Sequence, residues 1–183
     1  MEKVIIALVS VLLGGVIAIA KEVMVEKWKK KKEAEYLAIR VICILIDFID
    51  GCVDVVHDDG TCQGQYPQDG CAAAQVSLPE INFDSIDVNW KSIPAHLMYK
   101  LLSLPSIVKN AIGEIVAMGD VDFDPPENYS YFHARQSRYA DLGIIVFDLV
   151  QELRTKYQIK ENILEEKWNQ ISVLRKKKID SQK

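Results

Sequence analysis

The chain has little of what most catalytic or nucleic-acid-binding sequences display. Its 183 residues contain no GxxxxGK(S/T) phosphate loop, no GxGxxG dinucleotide turn and no GxSxG nucleophile elbow. There is no CxxC pair among the four cysteines, which removes the usual zinc patterns. Basic residues are outnumbered, 22 Lys and Arg against 26 Asp and Glu, and the net charge of −4 excludes nucleic-acid binding by bulk electrostatics. No segment sustains an alternation of apolar and polar residues, so strands are not expected. No internal repeat is present. With no catalytic constellation in view, no enzymatic reaction and no cofactor are assigned.

Charge is absent altogether from one long stretch. Val4–Ala20 is seventeen residues without a charged side chain, and Ser10 is its only polar one. As a helix it measures about 25 Å at about 1.5 Å per residue, the short end of what spans a bilayer. A lysine-rich segment follows at once. Residues 21–32 carry six lysines and two glutamates, a net of +4. Lys21 can snorkel, and Trp28 lies where an interfacial aromatic belongs.

Two readings of this segment compete. Ala18-Ile19-Ala20 fits the small-residue rule for signal cleavage after Ala20, but the apolar run exceeds the usual 7–15 residues. The lysines beyond it also oppose translocation, which favours a retained single-pass anchor. The anchor reading puts the N-terminus outside the inner membrane and the rest of the chain in the cytoplasm. Lys29, Lys30, Lys31 and Lys32 are then candidates for contact with lipid headgroups. Ser10, Gly14 and Ala18, four residues apart, line one face with little bulk and are candidates for helix–helix contact in the membrane. The expected partners are the bilayer and a second copy or another membrane protein.

Lysine and arginine are also missing from residues 41–90, which hold nine acids. From Glu33 to His57, two apolar rows at helical spacing run Leu37, Val41, Ile44, Phe48, Cys52, Val55 and Ala38, Ile42, Leu45, Ile49, Val53, Val56. Nothing breaks the chain between them and the apolar run, so one helix is expected to join the two. Asp50, Asp54 and His57 share the opposite face. Asp54-x-x-His57 imitates the acid-x-x-His element of di-metal helical sites, but His96 and His133 lack an acid three residues before them, so the set is incomplete. A metal-dependent enzyme using Asp50, Asp54 and His57 is the weaker alternative to a solvated acidic face.

Residues 58–90 break the helical pattern. "HDDGTCQGQYPQDGC" is rich in turn residues and lacks the alternating acids and closing glutamate of a calcium loop. This segment is expected to be an irregular surface insertion and the most natural place for a partner. Cys62 and Cys71 lie within it. They are free thiols in a cytoplasmic domain, or a loop-closing disulfide if the chain is exported after cleavage at Ala20.

Further on, Ser92 and Pro94 open a helix with Leu97, Met98, Leu101 and Leu102 inward, which Pro105 should kink or end. Val108, Ile112, Ile115 and Val116 follow. Asp124, Pro125 and Glu127 have the form of a helix start with a capping box. The row Tyr139, Leu142, Val146, Leu149 and Leu153 repeats at seam spacing to about Tyr157. His133, Arg135, Arg138 and Tyr131 make a polar cluster, read as an exposed face with ion pairs. A last helix, about 161–178, carries Leu164, Trp168, Ile171 and Leu174.

The segments "VNWKSIPAHLMYKLLSLPSIV" and "HARQSRYADLGIIVFDLVQELRTKY" resemble parts of uncharacterised small bacterial proteins that have an N-terminal anchor and a helical domain. The resemblance covers 1–57 in architecture and 88–157 in pattern. It implies a bacterial membrane-tethered bundle and brings no activity or functional residue with it.

The expected fold is all-α. A transmembrane anchor (1–20) and a basic juxtamembrane helix (21–35) lead into an antiparallel three- to four-helix bundle (36–178) with 58–90 inserted and a short tail (179–183). The expected function is that of a membrane-tethered interaction or scaffold protein that self-associates.

Overall fold

A computed structural model describes residues 2–67, 70–121, 124–160 and 164–181. Among them are four α-helices and no strand: α1 (Glu2–His57), α2 (Ala95–Val121), α3 (Tyr129–Tyr157) and α4 (Leu164–Asp180). A 3-10 turn, Trp90–Ser92, precedes α2. The all-α expectation therefore holds, and α1 runs without interruption from the apolar run to the core.

Helix α3 is the central element, touching α1, α2 and α4. Its row Tyr139, Leu142, Val146, Leu149 and Leu153 is buried, together with Ala140, Phe147 and Val150. Facing it are Leu37, Val41, Leu45, Phe48, Cys52 and Val55 of α1. The helices run antiparallel to α3. Asp58, just beyond α1, meets Arg135, whereas Cys52 meets Gly143. Lys100 and Glu114 of α2 pair with Glu152 and Arg138. Lys177 and Lys178 of α4 reach Gln136 and Asp141. Three helices pack closely at Gly143: a Cβ there would lie 2.6 Å from Leu174 Cδ1 and 3.2 Å from Cys52 Cβ, so a larger residue forces Leu174 to shift.

Helix α2 departs from expectation. Pro105 does not end the helix, which passes through it. The inward row is Leu97, Leu101, Leu104, Val108, Ala111 and Ile115, at steps of four and three. Leu102 and Val116, expected inside, are 48% and 53% exposed. Burial on both sides of Pro105 carries the backbone across it, against a propensity cost of about 3 kcal/mol.

The start of α3 also differs. Asp124 does not cap it. Residues 125–128 form a turn, and Asn128, at φ 49°, stands before Tyr129 with no side-chain cap bond. Pro126 accounts for this, because the residue before a proline is disfavoured in the helical region, and Pro125, with no core packing to override that, is such a residue. The turn docks elsewhere: the carbonyl of Pro126 accepts from Ala72 N at 2.7 Å, and Asn128 Nδ2 donates to Ala72 O.

The described residues of 58–89 form no helix, as expected, and most of them are exposed, but they also pack on the core. They run back along α1 as a strap. Pro79 lies where a Gly51 Cβ would be, 2.8 Å away, and Ser85 O accepts from Arg40. Ile81, Phe83 and Ile86 are buried in the core, and Phe83 meets Trp90 edge-on at 5.6 Å.

Among the described residues one helix, α2, is long and apolar enough to cross a membrane; 28% of its apolar window is buried. The sequence placed the span in Val4–Ala20 instead. The backbone there is helical, and the side chains up to Leu13 lie outside the described residues.

Candidate interaction surface on the first helix

From Ile17 to Glu33 every residue of α1 with a described side chain is exposed, and the first buried one is Ala34. Lys21–Glu33 is thus a free-standing helical stalk, about 20 Å long at about 1.5 Å per residue. No core holds it, so its helicity rests on the continuity of α1 and on local pairs. Lys30 lies 3.1 Å from Glu26; Lys31 and Lys32 lie 3.9 Å and 3.2 Å from Glu35. Such exposed pairs contribute about 0.3–0.5 kcal/mol each. The Lys32 ammonium also sits 5.9 Å from the centre of the Trp28 ring.

The predicted contact residues fall as follows. Gly14 and Ala18 are exposed; the Ser10 side chain lies outside the described residues. Lys29, Lys30, Lys31 and Lys32 are exposed on the stalk, spread around its circumference. Large apolar side chains accompany them in water: Val25 is 43% exposed, Trp28 63%, Tyr36 52% and Ile39 46%.

A second polar region lies at the far end of α1, and the sequence did not reveal it. Asp58 is buried at the helix end. Its Oδ1 accepts from Gly60 N, and its Oδ2 accepts from Gln75 N, Val76 N and Arg135 Nη2, the last at 2.9 Å. Arg135 Nη2 also donates to the carbonyl of Val76. Gln136 Nε2 donates to Asp58 O, and Lys177 Nζ to Gln136 Oε1. One carboxylate thereby ends α1, pins the strap at two backbone amides, and ties both to α3. The strap cannot act as a loose partner-binding arm while these bonds hold.

The polar cluster of α3 is accordingly divided. Arg135 is 2% exposed, not on an outer face. Arg138 pairs with Glu114 at 2.7 Å. His133 stacks on Tyr129 with ring centres 5.8 Å apart, and Tyr131 packs edge-on against Phe132. The one signal available in the sequence was that Arg135 stands four residues before buried Tyr139 and so shares its helix face.

Beside this network is a cavity of about 310 Å³ lined by Asp59, Thr61, Tyr66, Glu127, His133 and Lys177, among others. The Asp59 carboxylate accepts from the hydroxyl and the backbone N–H of Thr61, and these bonds hold it below the usual carboxylate range. Carboxylates and cations mix in the lining, which favours no single charge of ligand.

Asp54 and His57 are exposed and Asp50 half-buried. Among the described residues no group of three His, Cys, Asp or Glu is placed to hold a metal ion. All four cysteines are free: Cys43 and Cys62 exposed, Cys71 half-buried, Cys52 buried. Burial pushes the Cys52 thiol well above its ordinary range.

No protein family, curated protein or solved structure matches the chain.

Proposed function

We propose that the protein is a membrane-tethered helical interaction protein that self-associates. Val4–Ala20 crosses the cell inner membrane once, with the N-terminus outside. Lys21–Glu33 hold the helical bundle clear of the bilayer on the cytoplasmic side, and Lys29–Lys32 face anionic headgroups.

The observation that carries this reading is the exposure of α1 ahead of Ala34. Ile17 and Ile19 are 61% and 65% exposed and bury nothing in the protein core. Apolar side chains such as Ile17 and Ile19 that the core does not use require another apolar environment, and a bilayer supplies one. The lysine asymmetry sets the direction. Helix α2 is the less suitable span, because its apolar residues Leu97 to Ile115 are engaged with α3 and its Lys100 and Glu114 form ion pairs there.

The test is topology mapping of the full chain with reporters fused at the C-terminus, together with alkaline extraction of membranes. Retention in the membrane pellet with a cytoplasmic-active reporter is the expected result. A mature chain beginning at Lys21, or a reporter active only outside the cytoplasm, overturns the proposal and favours export with a Cys62–Cys71 disulfide.

A further inference from the structure

Helix α1 turns a second face away from the core, and its described part runs from Gly14 to Ile46. At 3.6 residues per turn, Ser10, Gly14, Ala18, Val25, Trp28, Tyr36, Ile39, Cys43 and Ile46 fall within a sector of about 80°. The buried row of Leu37, Val41, Leu45 and Cys52 occupies the opposite side. Tyr36, Ile39 and Cys43 are exposed and Ile46 half-buried. Their steps of three and four are those of a helix–helix seam. Lys21 and Lys32 share the sector and interrupt it; Lys32 is turned onto Glu35 and Trp28 of its own helix. Beyond Ile46 the sector carries Asp50 and Asp54, whose like charges would repel in a symmetric pair.

We infer that this face of α1 is a parallel homodimer seam, occupied by a second copy of the chain from Ser10 to Ile46, with the two Cys43 thiols at the same level. The inference rests on the membrane-tethered reading, which fixes both copies with the same end outward. Area supports the full length of the seam. Ser10 to Ile46 measures about 54 Å at about 1.5 Å per residue, and a strip about 10 Å wide makes about 1,100 Å² over two copies, near the threshold of about 1,000 Å² for a stable interface. The stretch Tyr36–Ile46 alone makes about 300 Å², too little without the part in the membrane. An antiparallel pair would set Lys32 against Asp47 and Asp50, but it offsets the two Cys43 along the axis and two anchors in one membrane forbid it.

The experiment is oxidative cross-linking of the full chain in native membranes. Disulfide formation at Cys43 is expected, lost in Cys43→Ser and kept in Cys62→Ser. In a background lacking the exposed thiols, Tyr36→Cys, Ile39→Cys and Ile46→Cys should cross-link, and Lys31→Cys and Glu33→Cys, off the sector, should not. Gly14→Leu should lower the Cys43 dimer about fivefold or more, because it holds the spans apart. Cross-linking equal at all exposed positions means random collision and overturns the inference. Absence of the Cys43 dimer in a protein retained by the membrane pellet overturns the seam while the tether stands; loss from that pellet fails the tether itself.

Discussion

Arg135 Nη2 stands 2.9 Å from Asp58 Oδ2, and both side chains are almost wholly buried. The pair joins the end of α1 to the middle of the chain's longest irregular segment and to α3. Its carboxylate is also the acceptor for three backbone amides. Removing one partner leaves the other charged and desolvated. Arg135→Leu should therefore destabilise the fold by about 3–5 kcal/mol. Asp58→Ala should cost at least as much, since the amides of Gly60, Gln75 and Val76 lose their acceptor too. Denaturant unfolding measures both, and cleavage by protease within 59–76 should rise in parallel.

Gly143 predicts a different failure. Gly143→Ala puts a methyl 2.6 Å from Leu174 Cδ1, inside any normal contact. Overpacking of this kind costs about 1–3 kcal/mol. Leu174→Ala in the same chain should recover part of the loss at that site, which a double-mutant cycle in thermal unfolding would register as coupling.

High pH should weaken the fold through two buried acids. Burial raises the Cys52 thiol and the Tyr139 phenol well above their ordinary values. Unfolded, these groups ionise near about 8.5 and about 10. Above those values the unfolded chain releases protons that the folded chain keeps, so stability is intact at lower pH and falls as pH rises. Tyr139→Phe and Cys52→Ala should each flatten the decline above about pH 9, although Tyr139→Phe also loses the bond to Pro79 O.

Thiol reactivity should separate the cysteines by burial. Cys43 and Cys62 are exposed and Cys52 is not. A thiol-specific reagent at neutral pH should label Cys62 rapidly, and Cys43 rapidly once the chain is dispersed to single copies. Cys52 should react only at the rate of unfolding, read by mass spectrometry of the labelled peptides.

Pro105 should be replaceable with profit. It lies inside α2 and lacks the N–H that an α-helix uses at that position. Pro105→Ala should stabilise the protein by about 1–3 kcal/mol, raising the unfolding midpoint by about 2–4 °C per kcal/mol.

Much of the architecture was legible because helical spacing is local. Leu37 to Val56 and Tyr139 to Leu153 announce their buried faces by steps of three and four, and the absence of alternation predicts the lack of strands. Local chemistry misled where a neighbour mattered. Pro125 looked like a helix start until Pro126 is counted. Pro105 looked like a stop because propensity does not see the packing on either side of it. Arg135 read as exposed because charge is ordinarily outside, and its partner Asp58 lies 77 positions earlier.

Sequence alone determined the helices, the apolar run with its lysine border, and the acidic face of α1. These follow from composition and periodicity within a few turns. Only the tertiary structure decided that residues 58–89 strap the core, that Asp58 and Arg135 are a buried pair, and that the stalk stands free of the domain. Each of those depends on which distant atoms displace water from a given side chain, and no local pattern encodes that.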